Sequence, residues 1–423
     1  MKLFLLTLLS VSSVFPVHSA AAGNAAGETD DAFLEDLSRR SFRFFTENAD
    51  GKTGLVADRA RVDGSAAGSK RARSASIAST GFGLSALCVG TERGWISSGE
   101  AVSRAVKTLE FFAGKADNAH GWFYHWMDAG TGARMPDSEV SSIDTALLLA
   151  GVLTVKQCFS SNAEIGALAD KIYRRVDFKW MLNGDREILS HGWKPETGFI
   201  PYRWEIHSEA MILYLLGIGS PSFPLPASSW RAWKRPVIEY GGFRYISGAG
   251  PLFIHQYSQA WLDFRTKRDN GVDWFDNSVQ ATKANRQMCL DLAFRFPDYT
   301  PEIWGITASD GASGYMAWGG PPATSDIDGT VVPSAAGGSL MFAPEIAIPA
   351  LKKMKKIYGG RLYNVYGFAD AFNPATGWFD ADVVGIDTGI ILLSAENLRS
   401  GSVWRWFMAN PEIQAALKTA GVR

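Results

Sequence analysis

Two kinds of helical pattern alternate along this chain, and few folds accommodate both. From Asp31 to Asn48 the spacing sets Phe33, Leu34, Leu37, Phe42, Phe44 and Phe45 along one face, an amphipathic helix. From Ser79 to Gly90 the residues are instead small or apolar all round, as in a helix enclosed by other helices. Ser97-Ser98-Gly99-Glu100 then reads as a cap for a second amphipathic helix running to about Ala113. Enclosed helices recur near Asp144, Glu209, Ser339 and Asp387, with amphipathic ones between them, such as Ala163 to Leu182 and Asn277 to Phe296. Thr80 and Asp144 lie 64 positions apart and Asp144 and Glu209 65, room for one helix pair with its loops. Six such pairs use the whole chain after its leader. The pattern predicts an all-α fold, an (α/α)6 toroid, as one domain over residues 31–423 with aromatic-rich loops at its rim. An open α-solenoid is the competing arrangement, but the regular short repeat of that class is missing.

The first residues carry a different signal. Met1-Lys2, the apolar run Leu3 to Val17 and the small residues Ser19-Ala20-Ala21-Ala22 match a secretory signal peptide over 1–22, with a linker over 23–30. The run is too short for a membrane span, and no later segment offers the roughly 20 apolar residues a span needs. A periplasmic or secreted chain without stable membrane insertion is expected. Cys88, Cys158 and Cys289 sit in apolar runs and read as small buried hydrophobes, although one pair could join in an oxidising compartment. With 42 Lys plus Arg against 43 Asp plus Glu, the net charge of −1 provides no field for nucleic acid. Aromatic residues make up 12% of the chain, with 15 Trp, more indole than a core needs and suited to stacking on sugar rings.

Carboxylates stand at the starts of the enclosed helices: Glu139 and Asp144, Glu209, Asp382 and Asp387. In a toroid these starts face one cavity. Each could serve only as an N-cap, but Ser208 is the better cap beside Glu209, which leaves Glu209 on the first turn. A protonated and an ionised carboxyl in one cavity are what glycoside hydrolysis needs, an acid for the leaving oxygen and a base for water. Aromatic clusters precede these helices: His120-Gly121-Trp122-Phe123-Tyr124-His125-Trp126, Gly192-Trp193, Pro201-Tyr202-Arg203-Trp204 and Gly377-Trp378-Phe379-Asp380. Gly311 to Trp318 follows Asp310. Trp122, Tyr124, Arg203, Trp204, His255, Gln256, Asp310, Trp318 and Trp378 are therefore the expected sugar-binding set. His191, His207 and His255 are weighed as satisfied polar residues against catalytic ones. Zinc-protease, Walker and nucleophile-elbow motifs are missing; Asp326-Ile327-Asp328-Gly329-Thr330 lacks the distal Glu of a calcium loop, so no cofactor and no metal is expected. The basic stretch Arg59, Arg61, Lys70, Arg71, Arg73 reads as a solvated loop.

Several longer strings resemble a known family. Ala78-Ser79-Thr80-Gly81-Phe82-Gly83-Leu84, Glu92-Arg93-Gly94-Trp95-Ile96, Ser138-Glu139-Val140-Ser141-Ser142-Ile143-Asp144, His255-Gln256-Tyr257-Ser258, Thr307-Ala308-Ser309-Asp310-Gly311, Phe342-Ala343-Pro344-Glu345 and Arg399-Ser400-Gly401 are similar to the glucoamylase-like family of bacterial proteins. That family includes the glycoside hydrolase family 144 endo-β-1,2-glucanases, and the likeness is collinear from about Phe33 to the C-terminus. It implies an (α/α)6 barrel, export to the periplasm, and inverting hydrolysis of β-1,2-glucan to sophorose and short oligosaccharides; separately, a monomer is expected. Starch, suggested by the family's older label, is the weaker substrate. The resemblance carries the family's acidic positions onto Glu139, Asp144, Glu209, Asp310 and the Asp382 to Asp387 segment. Glu209 is then the general acid and Asp387 the base, with Asp382 its rival, while Glu139 and Asp144 hold the sugar beside the scissile bond. His207-Ser208 departs from the Tyr-Asn expected before Glu209, which leaves product length open. The alternatives are hydrolysis of another β-glucan or of an α-glucan, a polysaccharide lyase, or a non-catalytic glycan-binding protein.

Overall fold

The computed structural model describes residues 28–65 and 73–423. The expected signal peptide, most of the linker, and Lys70 and Arg71 of the basic stretch lie outside the described residues. These contain thirteen α-helices and a set of two- and three-stranded ribbons. Local chemistry sets the helix starts. Helix α1 (Asp30–Glu47) begins at Thr29, whose hydroxyl accepts the Ala32 amide at 3.2 Å. Ser76, Ser97, Ser141 and Asn162 cap α2 (Ile77–Glu92), α3 (Ser98–Gly114), α4 (Ser142–Cys158) and α5 (Ala163–Arg174) in the same way. The later helices are α6 (Met211–Ile218), α7 (Ser229–Ala232), α8 (Trp274–Asp291), α9 (Pro333–Gly337), α10 (Pro344–Tyr358), α11 (Gly385–Arg399), α12 (Ser402–Met408) and α13 (Pro411–Ala420).

An inner ring follows the enclosed helices. Helix α2 packs on α4, α4 on α6, α6 on the 3-10 turn Ser258–Ala260, α9 on α11, and α11 back on α2. Gln256 closes the remaining joint: its Nε2 donates to Ala335 O at 3.0 Å and Ser339 Oγ at 2.8 Å, tying the turn to α9. Around it lie α1, α3, α5, α8 and α10, each burying one face. This is the expected (α/α)6 toroid. Within the described residues, no helix is long and apolar enough to cross a membrane.

Several stretches depart from the expected alternation. The enclosed helix expected near Ser339 is the five-residue α9, which stops at Gly337 where the pair Gly337-Gly338 gives way to turns, and α8 ends at Asp291 rather than Phe296. The helix starting at Ala163 ends at Arg174, because the Asp177 carboxylate takes the Trp180 amide at 2.9 Å and starts the separate 3-10 turn Trp180–Leu182. Between α6 and α8 the chain carries Pro221, Pro224, Pro226, Pro236 and Pro251 among glycines, so it forms only α7, the hairpin Val237–Tyr240 with Phe243–Ile246, and the 3-10 turns Leu252–His255 and Ser258–Ala260. The C-terminal α13 packs on α6 instead, so close that a Cβ on Gly219 would stand 2.5 Å from Glu412 O.

The tightest joint of the ring is α2 against α4. A Cβ at Gly151 would lie 2.1 Å from Gly81 O, and one at Gly81 2.2 Å from Leu147 O. Backbone atoms cannot step aside there, so Gly151→Val is expected to destabilise the chain by about 3 kcal/mol or more, read as a lower urea midpoint at unchanged slope.

Candidate active site

The first turns of α2, α4 and α11 and the turn before α6 open onto one cavity of about 520 Å³. Asp144, Glu209 and Asp387 line it with Asp58, Arg59, Asp310 and Asp370, and with the rings of His125, Trp126, Phe253, Tyr257 and Tyr315. A shallower groove continues outward past Arg61, Trp378, Phe379, Asp380 and Asp382. Asp58, Arg59, Trp126, Asp310 and Tyr315 belong to both parts, so the two form one cleft.

Each carboxyl in the cleft has a distinct environment. Glu209 sits in the turn before α6, where Ser208 Oγ accepts the Ala210 amide at 3.3 Å rather than capping a helix. It is 9% exposed, and burial, joined by the charge of Asp144, pushes its pKa up to about 7. Asp387, on the first turn of α11, is pushed up to about 6, chiefly by burial, with the charges of Asp58 and Asp310 adding. Beside it Asp370 is 2% exposed and accepts the Asp310 amide at 2.7 Å. Burial first and Asp387 second push Asp370 well above the usual carboxylate range, which makes it the protonated partner of Asp387. Burial, then neighbouring Asp310 and Asp382, likewise push Asp380 to about 6.

Cations are few and fully engaged. His125 lies on Trp126, ring centroids 3.6 Å apart, with Nδ1 2.9 Å from Glu139 Oε1 and Nε2 3.5 Å from Asp144 Oδ1. Burial alone would lower its pKa; Asp144 and Glu139 outweigh that and raise it, while Glu139 is held below its usual value despite burial. The Arg59 guanidinium, only 17% exposed, bonds Asp58 at 3.1 Å, pairs with Asp310 and lies 3.9 Å from Asp382. Arg61 bonds Asp382 at 3.0 Å. The expectation of a solvated basic loop is thus corrected for Arg59, because buried acids from two other loops surround it. Two donor groups, His125 with Glu139 and Asp144, and Asp310 with Asp370 and Asp380, are compact enough to hold a cation, all ligand atoms lying within 4.8 Å of one another. In the first the imidazole already bridges the carboxylates, and in the second Arg59 and the Asp370 proton offset the charge.

The other expected residues divide sharply. Asp144, Glu209, Asp310 and Asp387 line the cavity, Asp382 and Trp378 the outer groove, and Glu139 stands one step behind, on His125. Seven expected sugar-binding residues belong to the wall behind the lining. Trp122 is fully buried and donates to Asp177 O at 2.9 Å. Tyr124 lies under the Arg134 guanidinium, 5.0 Å from its ring centroid. Arg203 pins its loop to Leu182 O, Ile188 O and Asn183 O at 2.8 to 2.9 Å. Trp204 stacks on His191 at 3.8 Å and donates to Ser142 Oγ at 2.8 Å, while Trp318 donates to Ser309 Oγ at 2.9 Å. His255 rests 3.2 Å from Ser247 Oγ beside His207, both buried with lowered pKa, and Gln256 ties the ring. Trp122, Trp204 and Trp318 donate their indole N–H, and Arg203 and Gln256 their N–H groups, to partners inside the protein, which lets these side chains pack the rim loops down. Asp58, Arg59, His125, Trp126, Tyr257, Asp370 and Asp380 were outside the expected set. The aromatic clusters contain His125, Trp126 and Asp380, the family strings Tyr257 and the basic stretch Arg59; for Asp370 the signal is an acid within an otherwise apolar run, Phe368-Ala369-Asp370-Ala371-Phe372.

Known proteins resemble this chain over most of its length. The family model Glycoamylase, described as "putative glucoamylase", matches residues 201–411. The exo β-1,2-glucooligosaccharide sophorohydrolase (non-reducing end) of Parabacteroides distasonis is 28% identical over 427 residues, covering 92% of this chain; the chain spans 58% of that protein. An endo-β-1,2-glucanase from Chitinophaga pinensis, solved with sophorotriose and glucose, is 29% identical with a TM-score of 0.87, covering 93% of this chain and 99% of that one. A protein from Bacteroides uniformis with the family's description is 30% identical at a TM-score of 0.87, covering 93% and 98%.

Proposed function

This chain belongs to the glucoamylase-like family that includes the glycoside hydrolase family 144 β-1,2-glucanases, and on that premise we propose an exported, inverting hydrolase that cleaves β-1,2-glucan to sophorose and short β-1,2-linked oligosaccharides. The observation that carries this reading is the pair Glu209 and Asp387 in one cavity, with pKa values near 7 and 6. Between those values Glu209 is mostly protonated and Asp387 mostly ionised, the pairing an inverting glycosidase requires. Glu209 gives its proton to the glycosidic oxygen as the bond to C1 breaks. Asp387 takes a proton from the attacking water, directly or through a sugar hydroxyl, on the opposite face of the ring.

The remaining groups support these two. Asp144 raises the proton affinity of Glu209 and, with Glu139 and His125, holds the sugar beside the scissile bond. Asp370 is the protonated partner of Asp387. Trp126, Tyr315 and Trp378 offer ring faces to successive glucose units along the cleft. Its lining carries far more acids than cations, which suits a neutral glycan and repels uronic-acid chains, so the lyase reading falls behind. The leader at residues 1–22 would deliver the protein to the periplasm or beyond the cell, where it acts as a monomer without a cofactor.

The test is incubation of the purified protein with linear β-1,2-glucan, in parallel with starch and β-1,3-glucan. Sophorose and its homologues are expected from the first substrate alone. A ladder of oligosaccharides at early times would mark internal cleavage, and sophorose alone removal from an end. No release from any of the three would overturn the assignment.

A further inference from the structure

Cys88 and Cys158 line neither part of the cleft, yet the ring brings them together. Helices α2 and α4 run in the same direction, both starting at the cavity, and meet backbone to backbone where Gly81 faces Gly151. Cys88 stands seven residues beyond Gly81, and Cys158 seven beyond Gly151. Seven residues are nearly two turns, about 10.5 Å along the axis, so each cysteine returns to the face its glycine presents. Glycine at the crossing holds the axes at a spacing that larger residues forbid, which brings the next shared layer within reach of two short side chains. The two thiols interact: burial first and Cys158 second hold Cys88 well above the usual thiol range. Cys88 is buried, and Cys158, the last residue of α4, is half-buried and open to a reagent. Cys289 lies elsewhere, its sulfur 3.5 Å from the Gly305 amide.

We propose that Cys88 and Cys158 form a disulfide joining the far ends of α2 and α4 when the chain meets an oxidising compartment. The oxidant is an external disulfide, such as oxidised glutathione or a dithiol oxidase. The Cys158 thiolate attacks it and releases one reduced thiol; the Cys88 thiolate then displaces the second. Two S–H bonds are lost and one S–S bond forms, while two protons and two electrons leave with the oxidant as its two thiols. The bridge closes a loop over 70 positions, which restricts the unfolded chain strongly. It sits at the opposite ends of α2 and α4 from the carboxyls, so hydrolysis should not depend on it.

The experiment compares the purified protein after treatment with oxidised glutathione and after dithiothreitol. Under denaturing conditions the reduced chain should show the three thiols of its sequence and the oxidised chain one. Peptide mapping should recover Cys88 linked to Cys158, and the thermal midpoint should rise by about 5 °C. Cys158→Ser, a small change at a half-buried position, should make the midpoint insensitive to oxidant. Three thiols after oxidation, a bridge to Cys289, or Cys158 left capped by glutathione would each overturn the proposal.

Discussion

Glu209→Gln is expected to lower kcat/KM on β-1,2-glucan by about 10³-fold, the contribution of a positioned general acid, while circular dichroism and glucan binding stay unchanged. The amide keeps the shape of the carboxyl and loses only the transferable proton. A wild-type rate in this variant would remove Glu209 from the mechanism. The raised pKa adds a readout that a merely structural role would not move. A carboxyl lifted from 4.5 to about 7 by burial is neutral in the folded state below that value, and its ionisation costs stability as the pH rises through 7. Gln never ionises, so the variant should become the more stable protein above pH 7, by up to about 3 kcal/mol in urea titrations at pH 9. The wild-type rate should follow a bell with its maximum between about 6, where Asp387 ionises, and about 7, where Glu209 loses its proton. Residual turnover in Glu209→Gln should keep the acidic limb and lose the basic one.

Asp387→Asn should cost a comparable factor, about 10³, and erase the acidic limb instead. Asp382→Asn is the necessary companion. Asp382 sits in the outer groove against Arg61 and near Arg59, so its removal leaves guanidinium groups short of a partner and should act mainly on KM and stability. A larger fall in kcat for Asp382→Asn than for Asp387→Asn would transfer the role of base to Asp382. Asp370 separates the two cases further. Its proton is held by burial and by the charge of Asp387, so Asp387→Asn should bring the Asp370 pKa down, visible as a shifted carboxyl resonance in a labelled sample.

What the sequence revealed of the fold followed from enclosure. Helices α2, α4, α6 and α11 are apolar on every side because neighbours surround them, and that pattern is visible without coordinates. Glu209, Asp144 and Asp387 were legible for the same reason, as acids at the cavity ends of such helices. The stretch from Gly219 to Pro251 was not, because its place is decided by what packs on it rather than by any period. Arg59 resembled a solvated charge since its partners Asp310 and Asp382 lie on distant loops, the first 251 positions away. The aromatics were the hardest to divide: Trp122 and Trp126 are four positions apart, yet one is buried against Asp177 and the other faces the cavity. Composition shows that indoles are plentiful; only the fold decides which way each one turns.

The strand pair Arg59–Arg61 with Asp382–Val384, with the Arg61–Asp382 bond across 321 positions, bears on how the protein is made. Synthesis supplies one side of this clasp early and the other 321 positions later. Until then the acids of the early loops stand without Asp387, and the slow long-range pairing waits for the later strand. A chain cut short before Asp382 therefore lacks both the Arg61–Asp382 clasp and Asp387, and it should not cut glucan.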